Sequence, residues 1–297
     1  KDVYGGGNAA DVGTDGTNAN TFVIIDGGRI NRVFGGGKGD KTADVAANIY
    51  GTATTTVYAG LIDSIFGGSN QKGAIKEANL VLANATSSTC NDKLYNQVFG
   101  GANVAAINAP LTTTIDCGVG RIGDIYGGSN LANINNNVTL NIRGGQFDNV
   151  FGGSKGAPNN PANITGDVEL NLEGGEMVHA FGGSNVKGNI TGKITVNMQD
   201  LEAENCGLIV DTIYGAGQDA AYRPTSSTDV SPIVNLKHGK VGRGSVGSVT
   251  SVGCVFGGGK GSDAIVAANP KVIIGDDDND HTTTILGNVF GGGNAAA

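Results

Sequence analysis

Three aspartates, Asp63, Asp148 and Asp211, each stand three residues ahead of a recurring aromatic residue. Paired carboxyls about 5–9.5 Å apart are what glycoside hydrolysis uses. In stacked repeats that distance corresponds to equivalent positions one or two repeats apart. Asp148 and Asp211 fit this count, with Val178 at the position between them. Asp124, in the repeat before Asp148, stands one position out of phase. The plainer role for an acid at such a position is to solvate a corner of the chain, and it fits all four residues.

Asp276, Asp277, Asp278 and Asp280, with Asn279 among them, form the dense acidic cluster. Hard oxygen ligands in a short loop suit Ca²⁺, although the EF-hand spacing and its closing Glu are missing. A solvated acidic loop is the other reading, and no other cofactor is expected. Asp11, Asp15, Asp40 and Asp44 follow Gly-rich turns and raise the same question. His179, His238 and His281 share no metal spacing and read as surface or loop residues. The Gly-rich turns are not phosphate loops, since no Lys-Ser/Thr and helix follow them.

Four cysteines without a CxxC spacing make zinc improbable. Cys90 and Cys117 each lie nine residues before an aromatic residue, Phe99 and Tyr126. Repeats stacked in register bring such residues about 5 Å apart, within disulfide reach. Cys90–Cys117 is therefore a candidate disulfide, and two buried free thiols are the alternative. Cys206 and Cys254 sit eight and two residues before their aromatics, so no such argument joins them.

The elements that position these residues are set by one phrase, apolar–aromatic–Gly–Gly. Its aromatics are Tyr4, Phe34, Phe66, Phe99, Tyr126, Phe151, Phe181, Tyr214, Phe256 and Phe290, spaced 25 to 42 residues apart. Such a period marks an array in which no repeat buries its apolar face alone. Val138, Leu140 and Ile142 alternate with Thr139 and Asn141, and Val168, Leu170 and Leu172 repeat the pattern. That alternation predicts a strand with one buried face, here called half-strand A. A second half-strand, B, is apolar four residues and one residue before the aromatic, as Phe147 and Val150 are before Phe151. An odd separation cannot share one face of a straight strand, so a bend or bulge is expected between them. The glycines after the aromatic then suggest a tight turn at positive φ. All six prolines fall between that turn and the next half-strand A, marking the segment as loop.

The expected fold is all-β, a right-handed parallel β-helix (β-solenoid) of about nine to ten coils, forming one domain over residues 1–297. A propeller, with its longer four-stranded blades, comes second. Asn141, Asn171, Asn197 and Asn235 would form an amide ladder. The aromatics would form another column, either an internal stack or an exposed strip for sugars. A net charge of −8 with 19 basic residues argues against a nucleic-acid partner. With no apolar window long enough to span a bilayer, membrane insertion is not expected.

Val3-Tyr4-Gly5-Gly6-Gly7-Asn8-Ala9-Ala10 and Val150-Phe151-Gly152-Gly153 resemble the Gly-rich β-strand repeats of β-helical, adhesin-like cell-surface proteins of gut-associated bacteria. The resemblance implies an extracellular, secreted or surface-attached protein, a non-catalytic stalk, adhesin or fibre subunit. Partners would be further repeats of the same chain, a second copy stacked end to end into a filament, or host or microbial glycans. The alternative is a β-helix that binds or cleaves a polysaccharide. Val289-Phe290-Gly291-Gly292-Gly293-Asn294-Ala295-Ala296 nearly restates the first phrase, as a segment of a longer array or a stacking subunit would.

Overall fold

The structure is a computed structural model that describes residues 1–84, 93–201, 206–246, 249–251, 253–275 and 282–295. Its named elements are all strands, beginning with β1 (Asp2–Tyr4), β2 (Thr21–Phe34), β3 (Ile49–Phe66), β4 (Ile75–Leu82), β5 (Lys93–Phe99) and β6 (Leu111–Ile115). There follow β7 (Arg121–Tyr126), β8 (Val138–Phe151), β9 (Val168–Phe181), β10 (Ile194–Gln199), β11 (Ile209–Tyr214) and β12 (Val230–Val241). The last are β13 (Gly244–Val246), β14 (Val249–Ser251), β15 (Cys254–Phe256), β16 (Asn269–Ile274), β17 (Thr283–Ile285) and β18 (Val289–Phe290).

Sixteen strands belong to one sheet, paired in parallel, and β13 and β14 make a small antiparallel pair. Within the large sheet β3, β4, β6, β8, β7 and β5 close into a six-strand parallel ring, with the other strands outside it. This corrects the expected right-handed parallel β-helix of nine to ten coils; the all-β class stands. The reason lies in strand length. β3 and β8 each run through both half-strands, whereas β4 and β6 hold half-strand A and β5 and β7 hold half-strand B. Two ladders therefore leave β3 and meet again on β8.

Register is kept from repeat to repeat. Leu140 of β8 pairs with Leu170 of β9, and Phe151 with Phe181. The Gly pair between the half-strands absorbs a register shift, and its second members, Gly145 and Gly175, have φ of 98° and 89°. Past that shift β8 pairs Phe147 with Met177 and Asn149 with His179, so Asp148, three residues before Phe151, drops out of the ladder. That omission lets Phe147 and Val150 both be buried. The apolar spacing of half-strand B thus reports a local bend that both strands share, with no shift of register.

The glycines after the aromatic do a different job from the one expected. They are not at positive φ. Instead, a Cβ on Gly152 would come 2.6 Å from the Gly182 carbonyl oxygen, and one on Gly257 would come 2.5 Å from that of Gly291. Glycine is required there by the closeness of the next repeat's backbone.

Three buried columns run across the strands. The largest gathers the inward residues of both half-strands, such as Leu140, Ile142, Phe147 and Val150. A second is built from residues ahead of half-strand A: Ile49, Ile75, Ile107, Ile134, Ile164 and Ile190. These lie in segments read from sequence as loop, yet Ile107, Ile134, Ile164 and Ile190 are joined by parallel bridges. The third is the aromatic column.

Candidate functional site

The aromatic residues stack without interruption from Tyr4 to Phe290, with ring centroids 4.7–5.0 Å apart and planes within 10°. Phe34 through Phe256 are buried, so the row is an internal column rather than an exposed strip. Only at the far end does a large part of a ring reach the surface, with Phe290 43% exposed. Parallel rings at this spacing add roughly 0.5–1.5 kcal/mol per pair beyond the area they bury.

Where the column holds tyrosine, its hydroxyl receives an amide N–H. Asn70 donates to Tyr4 and Asn185 to Tyr126, both at 2.9 Å, and Asn294 donates to Tyr214 at 3.4 Å. Each asparagine stands four residues past the aromatic two repeats downstream. Burial raises the pKa of Tyr4, Tyr126 and Tyr214 and keeps them protonated. The Asn column forms as expected, with Asn171 donating to Asn141 at 2.9 Å and Asn197 to Asn171 and Asn235 to Asn197 at 2.8 Å.

Each of the four aspartates near the recurring aromatics has its own partner. Asp148 accepts from Arg121 at 2.7 Å, and Asp211 from Arg243 at 2.9 Å, the same guanidinium that reaches Glu176. Asp63 accepts from Asn96 at 2.9 Å and Asp124 from Asn149 at 2.8 Å. Each guanidinium holds Oδ1 of its aspartate. Asp40 accepts the N–H groups of Thr42 and Ala43, which hold its pKa below the usual carboxylate value. Asp11 accepts from the Asn48 N–H at 2.7 Å. Both acids therefore have a backbone-capping role.

His179 Nδ1 lies 3.1 Å from Asn149 Oδ1, and burial followed by the charge of Lys260 lowers its pKa. His238 Nδ1 lies 3.0 Å from the Asp200 carbonyl oxygen. The Asp276, Asp277, Asp278 and Asp280 cluster and His281 lie outside the described residues. Among the described residues no three His, Cys, Asp or Glu side chains are grouped to hold a metal.

The disulfide differs from the expected one. Cys117 is bonded to Cys206, with Cα atoms 5.9 Å apart, which corrects the Cys90–Cys117 pairing; Cys90 itself lies outside the described residues. Counting back from the aromatic treats every repeat as equal. The two repeats between these cysteines instead pass here as bare Gly pairs, Gly144-Gly145 and Gly174-Gly175. A Cβ on Gly144 would meet the Cα of Cys117 at 2.5 Å, and one on Gly174 would meet the Cys206 carbonyl oxygen at 2.6 Å. The longer segments on either side fold over these Gly turns and meet.

No family model, curated protein or solved structure matches the chain. Among the described residues no helix is long and apolar enough to cross a membrane.

What sequence reasoning missed is the isoleucine column. Its signal was present: Ile49, Ile107, Ile134, Ile164 and Ile190 each stand four residues before half-strand A, often after an asparagine. Those asparagines cap the next repeat, Asn133 Oδ1 accepting from the Asn163 N–H at 2.9 Å and Asn163 Oδ1 from the Asn189 N–H at 2.8 Å.

Proposed function

We propose that the chain is a non-catalytic structural or adhesive segment, a stalk, adhesin or fibre subunit, of an extracellular bacterial surface protein. The observation that carries the reading is the unbroken aromatic column, flanked by amide ladders that join runs of successive repeats through side chains as well as backbone. Such residues are spent on extending and stiffening the molecule. The Cys117–Cys206 disulfide supports an oxidising compartment, where such bonds persist. The Gly-rich repeats, similar to those of adhesin-like surface proteins, support the same location.

Incubation with a panel of soluble plant, mucin and microbial polysaccharides tests this reading. No new reducing ends or unsaturated products are expected. Cleavage that disappears in Asp148→Asn or Asp211→Asn would replace this reading with a carbohydrate-active one.

A further inference from the structure

A corner groove follows the bend of half-strand B. One wall is the residue five before each aromatic, and the other is the residue three before it. The backbone of the buried residue between them is the floor. At β7 and β8 the groove is bridged, because Arg121 on one wall reaches Asp148 of the next repeat on the other at 2.7 Å. Farther on, Arg243 ties Glu176 of the first wall to Asp211 of the second.

Arg29 and Asp63 occupy the same two positions in successive repeats as Arg121 and Asp148 do. Among the described residues, however, Arg29 has no hydrogen-bond or ion-pair partner. A groove of about 530 Å³ lies open there across β2, β3 and β5. Beside Arg29 the first wall continues as Leu61 and Leu94, paired in register, with Leu94 44% exposed. The opposite wall is Asn31, Asp63 and Asn96. Asn31 and Asn96 donate their amide N–H groups to Asp2 and Asp63, at 3.2 and 2.9 Å, so this wall presents oxygen to the groove.

A ligand that fits must bring an anionic acceptor for the guanidinium, an apolar face for the leucines and donors for the oxygen wall. A hexuronate sugar has all three, as its carboxylate, its C–H face and its hydroxyls. A peptide strand fits less well. The floor's N–H and C=O groups are already paired between parallel strands, which leaves no edge here for strand addition. We propose that the groove across β2, β3 and β5 is a binding site for a uronate-bearing glycan. Arg29 takes the carboxylate as a fork-shaped donor, Leu61 and Leu94 lie under the ring, and Asp63 accepts from hydroxyls. This names a ligand class for the adhesive reading above and rests on that reading.

Isothermal titration of the intact chain with trigalacturonate tests the site. Saturable binding is expected, weakened at least about tenfold by Arg29→Gln and by methyl esterification of the sugar carboxyls. Because Arg29 has no partner to lose, thermal unfolding of Arg29→Gln should match the parent. Arg143→Gln removes the same charge outside the groove and should bind as the parent does. Triglutamate brings carboxylates without sugar hydroxyls and should bind at least about tenfold more weakly. Absence of saturable binding overturns the proposal, as does equal binding by Arg29→Gln, by the methyl ester or by triglutamate. Cleavage of the trimer during the titration would sink the non-catalytic reading alone, and absent binding would sink the site alone.

Discussion

Thr55 and Thr113 occupy inward positions of half-strand A where the neighbouring repeats carry Val23, Leu80 and Leu140. Both side chains are fully buried, and neither hydroxyl has a hydrogen-bond partner. A buried hydroxyl left unpaired forfeits about 1–3 kcal/mol of hydration. Valine keeps the branched shape and removes that loss. Thr55→Val and Thr113→Val are each expected to raise stability by about 1 kcal/mol, read as a higher denaturant midpoint at constant m-value. Loss of stability in both would mean the hydroxyls have a partner such as an ordered water. His179 makes a pH-dependent contribution instead. Its pKa is lowered in the fold by burial, so the unfolded chain binds more protons between the folded value and about 6.5. Its contribution is present above about pH 6.5 and is lost as pH falls through the folded value. His179→Gln should flatten the acid side of the stability profile in that window, measured by urea unfolding from pH 7.5 to 5.

At the scale of elements, the alternating half-strand A was legible because side-chain period is a local property. The bend in half-strand B was legible too, since Phe147 and Val150 cannot share a face without it. The topology was not, because it depends on which repeats fuse their half-strands, as β3 and β8 do while β4 and β5 do not. The isoleucine column was hidden by its surroundings, with bridges at single residues flanked by Asn, Gly and Pro. The disulfide was hidden for a related reason: segment length outside the strands decides which cysteines meet. Cys117 and Cys206 close 89 residues of chain over the Gly144 and Gly174 turns. Cys117→Ser with Cys206→Ser should cost about 2–4 kcal/mol. Hydrogen exchange should rise most at the segments flanking those cysteines, while the strands of β8 and β9 stay protected. Uniform deprotection would show that the bond holds the whole sheet rather than two local segments.

For the whole molecule, each aromatic stacks on the rings before and after it, so the column converts position along the chain into stability. Phe99 has a ring on both sides, at 4.8 and 4.9 Å, and is 1% exposed. Phe290 has one described ring neighbour, at 4.8 Å, and is 43% exposed. Truncating a fully buried Phe costs about 3–5 kcal/mol through lost transfer free energy and the cavity left behind. A ring that water already reaches loses only part of the first and none of the second. Phe99→Ala is therefore expected to lower stability by about 3–5 kcal/mol, and Phe290→Ala by less than about 1. Amide exchange should show the same gradient, with protection greatest around β7 and β8 and fading toward β18 as the end opens locally. Equal costs for the two substitutions would mean that the chain unfolds as one unit regardless of where the column is cut. A steep difference would mean that a repeat is held chiefly by its two neighbours.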